Sequence, residues 1–351
     1  MGHHVTVATC TLRQWALDFE GNIERILKSI EIAKEKGARY RLGPELEICG
    51  YGCNDHFFES DLYLHCWEAL AVIMKSPRSQ GILCDVGMPV IHRNVKYNCR
   101  VYILNGHLLW IRPKIQLAND GNYRELRWFS PWQQKRIEEF SIPRIIRDIN
   151  GQNDVMIGDG CLRLIDCVLG AETCEELFAP QSPHTYLGLD GVEIFGNGSG
   201  SHHELRKLHH RVNLITSATK KIGGLYLYAN ISGCDGERVY YDGSALIALN
   251  GSILAQSPQF SLSEVDVITA TIDLEDIRAF RGSNGSYQFQ ASISEHKLYR
   301  IKVDFSLSNH PDQYQSVTPT TPILPFYHTP QQEIWYFYLF IFIYLFLFIY
   351  S

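Results

Sequence analysis

At 351 residues the chain has room for one large domain or two small ones. With 45% hydrophobic and 20% charged residues it has the makeup of a globular protein with a sizeable core, not of a disordered or fibrous one. A net charge of −6 and an isoelectric point near 6.2 give no support for a nucleic-acid partner.

The apolar pattern switches between strand and helix periods along most of the chain. Residues 5–10 read as a strand and 22–36 as an amphipathic helix, with Ile23, Ile26, Leu27, Ile30 and Ile32 supplying apolar positions. Residues 38–42 lead into Gly43-Pro44-Glu45-Leu46. Further strands are predicted at 81–90 and 101–104, with Asn105-Gly106 as a turn before 107–112. Residues 163–166 and 168–169 precede Cys174, and 191–195 run into a glycine- and serine-rich loop at 196–201. A helix is predicted over 203–219, then strands at 225–230, 244–249 and 253–256, with Asn250-Gly251 turning between the last two. A strand at 265–273 and a short acidic helix follow. Periodicity weakens after Ser286, and 318–325 is rich in Thr and Pro. This alternation predicts one α/β domain over 1–305, a linker over 306–333 and a tail over 334–351.

The tail differs in texture from everything before it. Residues 334–350 form an apolar run of 17 residues with ten aromatics and no charge, at the lower limit for spanning a bilayer and without a basic flank. Of three readings (a membrane anchor, a buried hairpin, a sequence added by splicing or read-through) the low complexity favours the last. Ten cysteines spread from Cys10 to Cys234 show no disulfide framework, and the first residues enter a strand pattern rather than an apolar signal segment. A reducing, cytoplasmic setting is therefore expected, in which the Asn-x-Ser sequons at Asn197, Asn230, Asn250 and Asn284 carry no meaning. Met1-Gly2 with Thr6 matches a myristoylation pattern, but Val5 and Val7 read as core strand positions.

Three segments carry chemistry. Glu45 follows Gly43-Pro44 at a strand end, Lys114 follows Arg112-Pro113, and Cys174 lies in Glu172-Thr173-Cys174-Glu175-Glu176. Singly, each has an ordinary reading: a solvated carboxylate, a surface lysine, a buried structural cysteine. Together a carboxylate can take the thiol proton, the thiolate can attack a carbonyl, and the ammonium can hold the resulting oxyanion. That set suffices for amide hydrolysis without a histidine. Glu175 and Glu176 would raise the thiol pKa, so activation is expected from Lys114.

The ordered set resembles the nitrilase, or carbon–nitrogen hydrolase, superfamily. Pro44-Glu45-Leu46 with Gly50-Tyr51 resembles its glutamate motif. Lys114 with Tyr123-Arg124-Glu125 and Phe129 resembles the lysine motif. Cys174-Glu175-Glu176-Leu177-Phe178 with Pro180 resembles the cysteine motif, followed by Asn197-Gly198-Ser199-Gly200-Ser201. Trp15-Ala16-Leu17-Asp18-Phe19-Glu20-Gly21-Asn22, the run from Arg41 to Gly52, and Ser201-His202-His203 are most similar to the amino-terminal glutaminase domain of glutamine-dependent NAD synthetases, those of animals in particular.

The resemblance covers residues 1–334 and implies a four-layer αββα sandwich with the site at one edge of the sheets. It implies glutamine as substrate, with Glu175 taking the ammonium and Tyr123, Phe178, Ser201 and Arg206 lining the pocket. For Arg206 a helix-surface role competes evenly, and Ser199 and Ser201 are not separated. The Ser-Gly-Gly-x-Asp-Ser phosphate loop of those synthetases is absent from the 351 residues, and the pattern is left near Glu333. A product truncated before the synthetase domain is thus expected, with no cofactor here and ATP and magnesium belonging to the missing domain. Homo-oligomers or co-assembly with a full-length synthetase are the implied partners. The alternative is a catalytically weak isoform acting as a binding subunit of that enzyme.

Two rivals are weaker. His202-His203 and His209-His210 lie seven apart on the predicted helix, but zinc would need a further ligand and no Cys-x-x-Cys accompanies them. A Cys–His protease has the residues without its local signatures. The basic stretch from His202 to Arg211 is read as a helix face or a carboxylate-binding edge, not a DNA contact.

Overall fold

Strands covered on both faces should read as near-continuous apolar runs whose side chains alternate between two cores. The strand His4–Leu12 does this: Val5 and Val7 enter one core, Ala8, Cys10 and Leu12 another. The computed structural model describes residues 3–134, 136–308, 318–336 and 338–339. In it one sheet runs, edge to edge, Glu138–Ser141, Asp154–Ile157, His107–Pro113, Val95–Leu104, Leu83–His92, Tyr40–Leu42, His4–Leu12, Val265–Asp273. The other runs Tyr299–Lys302, Gly160–Arg163, Val168–Thr173, Ile194–Gly198, Leu225–Cys234, Leu246–Leu249, Ser252–Gln256. The sheets join where Thr11 and Leu12 pair in parallel with Asn230 and Ile231.

Three apolar layers follow. Val7, Leu42, Tyr102, Trp110, Leu169, Ile194 and Leu227 fill the space between the sheets. Ile26, Ile30, Trp67, Leu70, Val86 and Val101 bury the helices Phe19–Glu35 and Ser60–Lys75 on the first sheet. Leu187, Phe195, Leu208, Val212, Ile215 and Tyr226 bury Pro183–Leu189 and Lys207–Ile222 on the second. The result is the expected four-layer αββα sandwich.

Several predicted bounds shift for identifiable reasons. The first helix starts at Phe19, because the Asp18 side chain caps it by accepting from the Gly21 N–H at 3.1 Å. Ser60–Lys75 was not predicted, although Leu62, Cys66, Leu70 and Ile73 carry a helical spacing. The strand predicted at 101–104 begins at Val95, since Lys96, Asn98 and Arg100 break the apolar pattern. The helix predicted at 203–219 spans Lys207–Ile222, behind Arg206 with φ +64°. His202 instead bridges to Tyr241, so the histidine pairs do not share a helix. Among the described residues no cluster of His, Cys, Asp or Glu could hold a metal ion.

Asn197 and Asn230 are fully buried, which excludes glycosylation of the folded chain there, and all ten cysteines are free thiols. The Thr/Pro-rich stretch is pinned to the body: Thr320 N–H donates to Thr271 at 2.8 Å, and Ile323 bridges to Ile253. Of the myristoylation pattern, Met1 and Gly2 lie outside the described residues, while Val5 and Val7 are fully buried. Most of the tail, residues 337 and 340–351, also lies outside them. No helix among the described residues is long and apolar enough to cross a membrane.

Candidate active site

Parallel strands deliver their carboxyl ends to one edge, the usual place for a ligand in α/β sheets. Tyr40–Leu42 ends just before Glu45, Val168–Thr173 just before Cys174, and Ile194–Gly198 just before Ser199 to Ser201. His107–Pro113 presents Lys114 to the same place.

Buried ion pairs hold the loops there. Arg100 donates to Asp85 Oδ1 and to the Pro44 and Gly43 carbonyls, each at 2.7 Å, which fixes the backbone carrying Glu45. Its guanidinium crosses to the facing strand at Gly198, where a Cβ would come within 2.1 Å of Nη1. Arg41 grips Glu47 with two bonds of 2.8 Å on the far side of that loop. Glu176 joins the cysteine and lysine loops. It accepts from Arg112 Nη1 at 2.5 Å, Ile115 N–H at 2.6 Å and Thr173 N–H at 2.8 Å.

At the centre, Lys114 Nζ donates to Glu45 Oε1 at 2.7 Å and to Glu125 Oε1 at 2.8 Å, with Glu45 and Lys114 fully buried. Asn98 Nδ2 adds a second donor to Glu45 Oε1 at 2.7 Å, and Gly200 N–H reaches Oε2 at 3.1 Å. Tyr51 Oη donates to Glu125 Oε1 at 2.5 Å. Burial alone would push the Lys114 ammonium down, but Glu125 and Glu45 hold it well above its usual value. Burial pushes Glu125 up to about 7 against the pull of Lys114.

Cys174 opens a short helical turn, Cys174–Leu177, with φ +42°. A nucleophile on a sharp strand-to-helix turn projects from the sheet edge while its backbone is strained. Its N–H donates to Asn197 Oδ1 at 2.9 Å, and its side chain is almost wholly buried. Burial first, then the Glu45 charge, push the thiol well above its ordinary pKa, with Lys114 pulling the other way. Lys114 thus acts on the thiol in the expected direction, but burial and Glu45 outweigh it. The ammonium is shared between Glu45 and Glu125, and burial remains the largest influence on the thiol.

The residues assigned to the substrate by resemblance lie around this centre. Tyr123 Oη donates to the Gly200 carbonyl at 3.1 Å and lies 2.7 Å from His202 Nδ1. Glu175 is half-buried, and its carboxyl is raised, chiefly by burial. Phe178 packs against His210 with ring centroids 5.6 Å apart. Ser201 is buried, with its hydroxyl beside the Tyr228 hydroxyl. Arg206 is exposed at the start of its helix and engages through its backbone N–H, which donates to Glu333 Oε2 at 3.0 Å. The cation near Tyr123 is Lys207, with Nζ 5.7 Å from the ring centroid.

Sequence reasoning gave no role to Asn98, Arg100, Arg112 or Glu125, read Glu176 only as raising the thiol pKa, and took Lys207 only as part of the basic stretch. Asn98 and Arg100 left a signal, as polar residues on one face of an otherwise apolar strand. Glu125 stood inside the quoted lysine motif.

A model of the carbon-nitrogen hydrolase family matches residues 6–282. The chain belongs to the carbon-nitrogen hydrolase family. Curated relatives of this hydrolase include the glutamine-dependent NAD(+) synthetases of Bos taurus, 61% identical over 336 residues, and of Saccharomyces cerevisiae, 56% identical over 336. Each alignment takes in 95% of this chain and 47% of the relative, so the chain spans about half the length of the curated relatives it matches. Among solved structures, a glutamine-dependent NAD(+) synthetase from Cytophaga hutchinsonii superposes with a TM-score of 0.69 at 28% identity, covering 77% of this chain and 43% of that one. An amidase from Nesterenkonia shares the fold, with a TM-score of 0.59 at 18% identity over 80% of this hydrolase and 95% of the amidase.

The helix carrying Lys207 is anchored by a pair that titrates. Arg211 Nη2 donates to the buried Asp242 Oδ2 at 2.5 Å, and Gln259 adds a bond of 2.8 Å. Burial pushes the Asp242 carboxyl up, but Arg211, His203 and Gln259 outweigh it and hold the group well below its usual range. A depressed carboxyl contributes stability that is fully present above its unfolded pKa of about 4 and lost as pH falls toward the folded value. The melting temperature is therefore expected to fall on acidification below pH ~4, and Asp242→Asn to flatten that slope. Equal slopes in the two proteins would contradict this assignment.

Proposed function

We propose that this carbon-nitrogen hydrolase releases ammonia from the side-chain amide of glutamine, as the glutaminase part of an NAD synthetase. The observation carrying this reading is the convergence of Glu45 and Lys114, hydrogen-bonded to each other, beside the turn that holds Cys174. Lys114 and Asn98 both donate to Glu45 Oε1, which fixes the orientation of the side chain.

In the proposed cycle Glu45 takes the thiol proton as Sγ attacks the amide carbon. Lys114 Nζ and the backbone N–H after Cys174 hold the tetrahedral oxyanion, and each such donor lowers the barrier by about 3–4 kcal/mol. Collapse transfers the proton from Glu45 to departing ammonia and leaves a thioester. Glu45 then draws a proton from water, whose oxygen attacks the thioester, and glutamate leaves as that proton returns to sulfur. No cofactor enters these steps. Glu175 takes the substrate ammonium, with Tyr123, Phe178 and Ser201 lining the pocket and Arg206 or Lys207 facing the carboxylate.

Incubated with glutamine, the purified chain is expected to yield ammonia and glutamate in equal amounts, and Cys174→Ala to yield none above background. A folded wild-type chain that releases no ammonia would overturn the reading and favour a binding subunit of a longer synthetase.

A further inference from the structure

One buried polar chain touches the nucleophile yet takes no part in the proposed cycle. Glu172 and Asn197 are register partners on neighbouring strands, and Tyr226 lies on the next strand. All three are fully buried. Glu172 Oε1 accepts the His184 N–H at 2.5 Å, with His184 Nδ1 at 3.0 Å. Glu172 Oε2 accepts from Tyr226 Oη at 2.5 Å. Tyr226 Oη accepts in turn from Asn197 Nδ2 at 2.9 Å. Asn197 Oδ1 then receives the Cys174 N–H and the Ser199 hydroxyl, each at 2.9 Å.

The direction of this chain is set at its far end. A carboxylate has no hydrogen to give, and a tyrosine hydroxyl has one. Tyr226 therefore gives its proton to Glu172 and can only accept from Asn197. That turns the amide nitrogen toward the tyrosine and the amide oxygen toward Cys174. Were the amide reversed, two N–H groups would face each other behind the nucleophile, whose φ of +42° is one that side-chain-bearing residues rarely adopt.

We infer that Glu172 is a positioning residue: through Tyr226 and Asn197, its charge orients the amide that holds the Cys174 backbone in its left-handed turn. The inference rests on the amide-hydrolase reading above. Burial pushes the Glu172 carboxyl up, but the charge and hydrogen bonds of His184 and the Tyr226 hydroxyl bring it below its ordinary value. Two donors, the His184 N–H and the Tyr226 hydroxyl, face its oxygens, which suits the ionised form.

Isosteric variants separate this role from packing. In Glu172→Gln the single amide oxygen cannot serve both the His184 N–H and Tyr226. With that oxygen on His184, the amide NH₂ faces Tyr226 and the chain runs backwards. Asn197→Asp alone sets two carboxylates against one tyrosine proton. The double variant Glu172→Gln/Asn197→Asp permits a reversed chain that still offers oxygen to Cys174.

Each single change is expected to lower kcat for glutamine about tenfold with KM within about twofold, and the double to regain most of that loss. Iodoacetamide labelling, read at the Cys174 peptide without substrate, is expected to change in the singles and to return toward wild type in the double. Wild-type kcat and labelling in both singles would overturn the inference, as would a double no better than its worse parent. If Glu172→Gln does not fold, Tyr226→Phe replaces it, with the same expected loss and the same reading if none occurs. A wild-type chain inert toward glutamine would sink the functional reading alone, because the labelling series still decides this one.

Discussion

Glu45→Gln is expected to lower kcat for amide hydrolysis by about a thousandfold, the middle of the range for removing a positioned acid–base group. The substitution preserves shape, so the loss reports chemistry. It removes the group proposed to take the thiol proton, and that thiol is held well above its ordinary pKa by burial and by Glu45 itself. It also misplaces a donor. Lys114 and Asn98 both donate to Oε1, while Gly200 N–H donates to Oε2, so an amide nitrogen meets an N–H whichever way it turns. Ammonia release from glutamine, beside a melting curve to establish folding, measures the effect. A loss smaller than about tenfold would reassign the base, and Glu125, bonded to the same ammonium, would be next.

Arg112→Met is expected to destabilise the fold by roughly 3–5 kcal/mol, the cost of leaving a buried charge without its partner. Arg112 and Glu176 are both fully buried and joined at 2.5 Å. Methionine keeps much of the arginine volume and offers Glu176 nothing. Glu176 also ties Ile115 N–H to Thr173 N–H, so its disturbance loosens the lysine and cysteine loops together. Activity should therefore fall alongside stability. Denaturant unfolding measures the first and ammonia release the second. Stability within about 1 kcal/mol of wild type would mean that water enters and solvates Glu176, and that the pair does not hold the loops.

The double change Arg112→Met/Glu176→Met offers a further contrast within that second prediction. Replacing both charges by apolar groups should recover part of the stability, as buried pairs often allow, short of the cost of the Ile115 and Thr173 N–H groups left without an acceptor. It should not recover activity, because methionine cannot accept from the Ile115 and Thr173 N–H groups. A variant stable but slow would separate the positioning role of Glu176 from its share in folding.

The sequence by itself determined the alternation of strands and helices and the outline of the site, and its family resemblance implied the four layers. Strands such as His4–Leu12 and Leu225–Cys234 carry apolar residues in both alternating sets, because each face meets a core. The motifs around Glu45, Lys114 and Cys174 were legible because they are short and local, each a turn at the end of one strand. Tertiary structure alone decided how these groups are charged and held. Glu45 meets Asn98 across 53 positions and Lys114 across 69, and Glu176 reaches Arg112 across 64. No local pattern encodes such contacts. They exist because the strands bring their ends to one buried edge, where every donor must find an acceptor and every charge a partner. The same cause explains the thiol. The sequence set neighbouring glutamates, which raise the thiol pKa, against a distant lysine, which lowers it; burial, the largest influence, comes only with the tertiary structure.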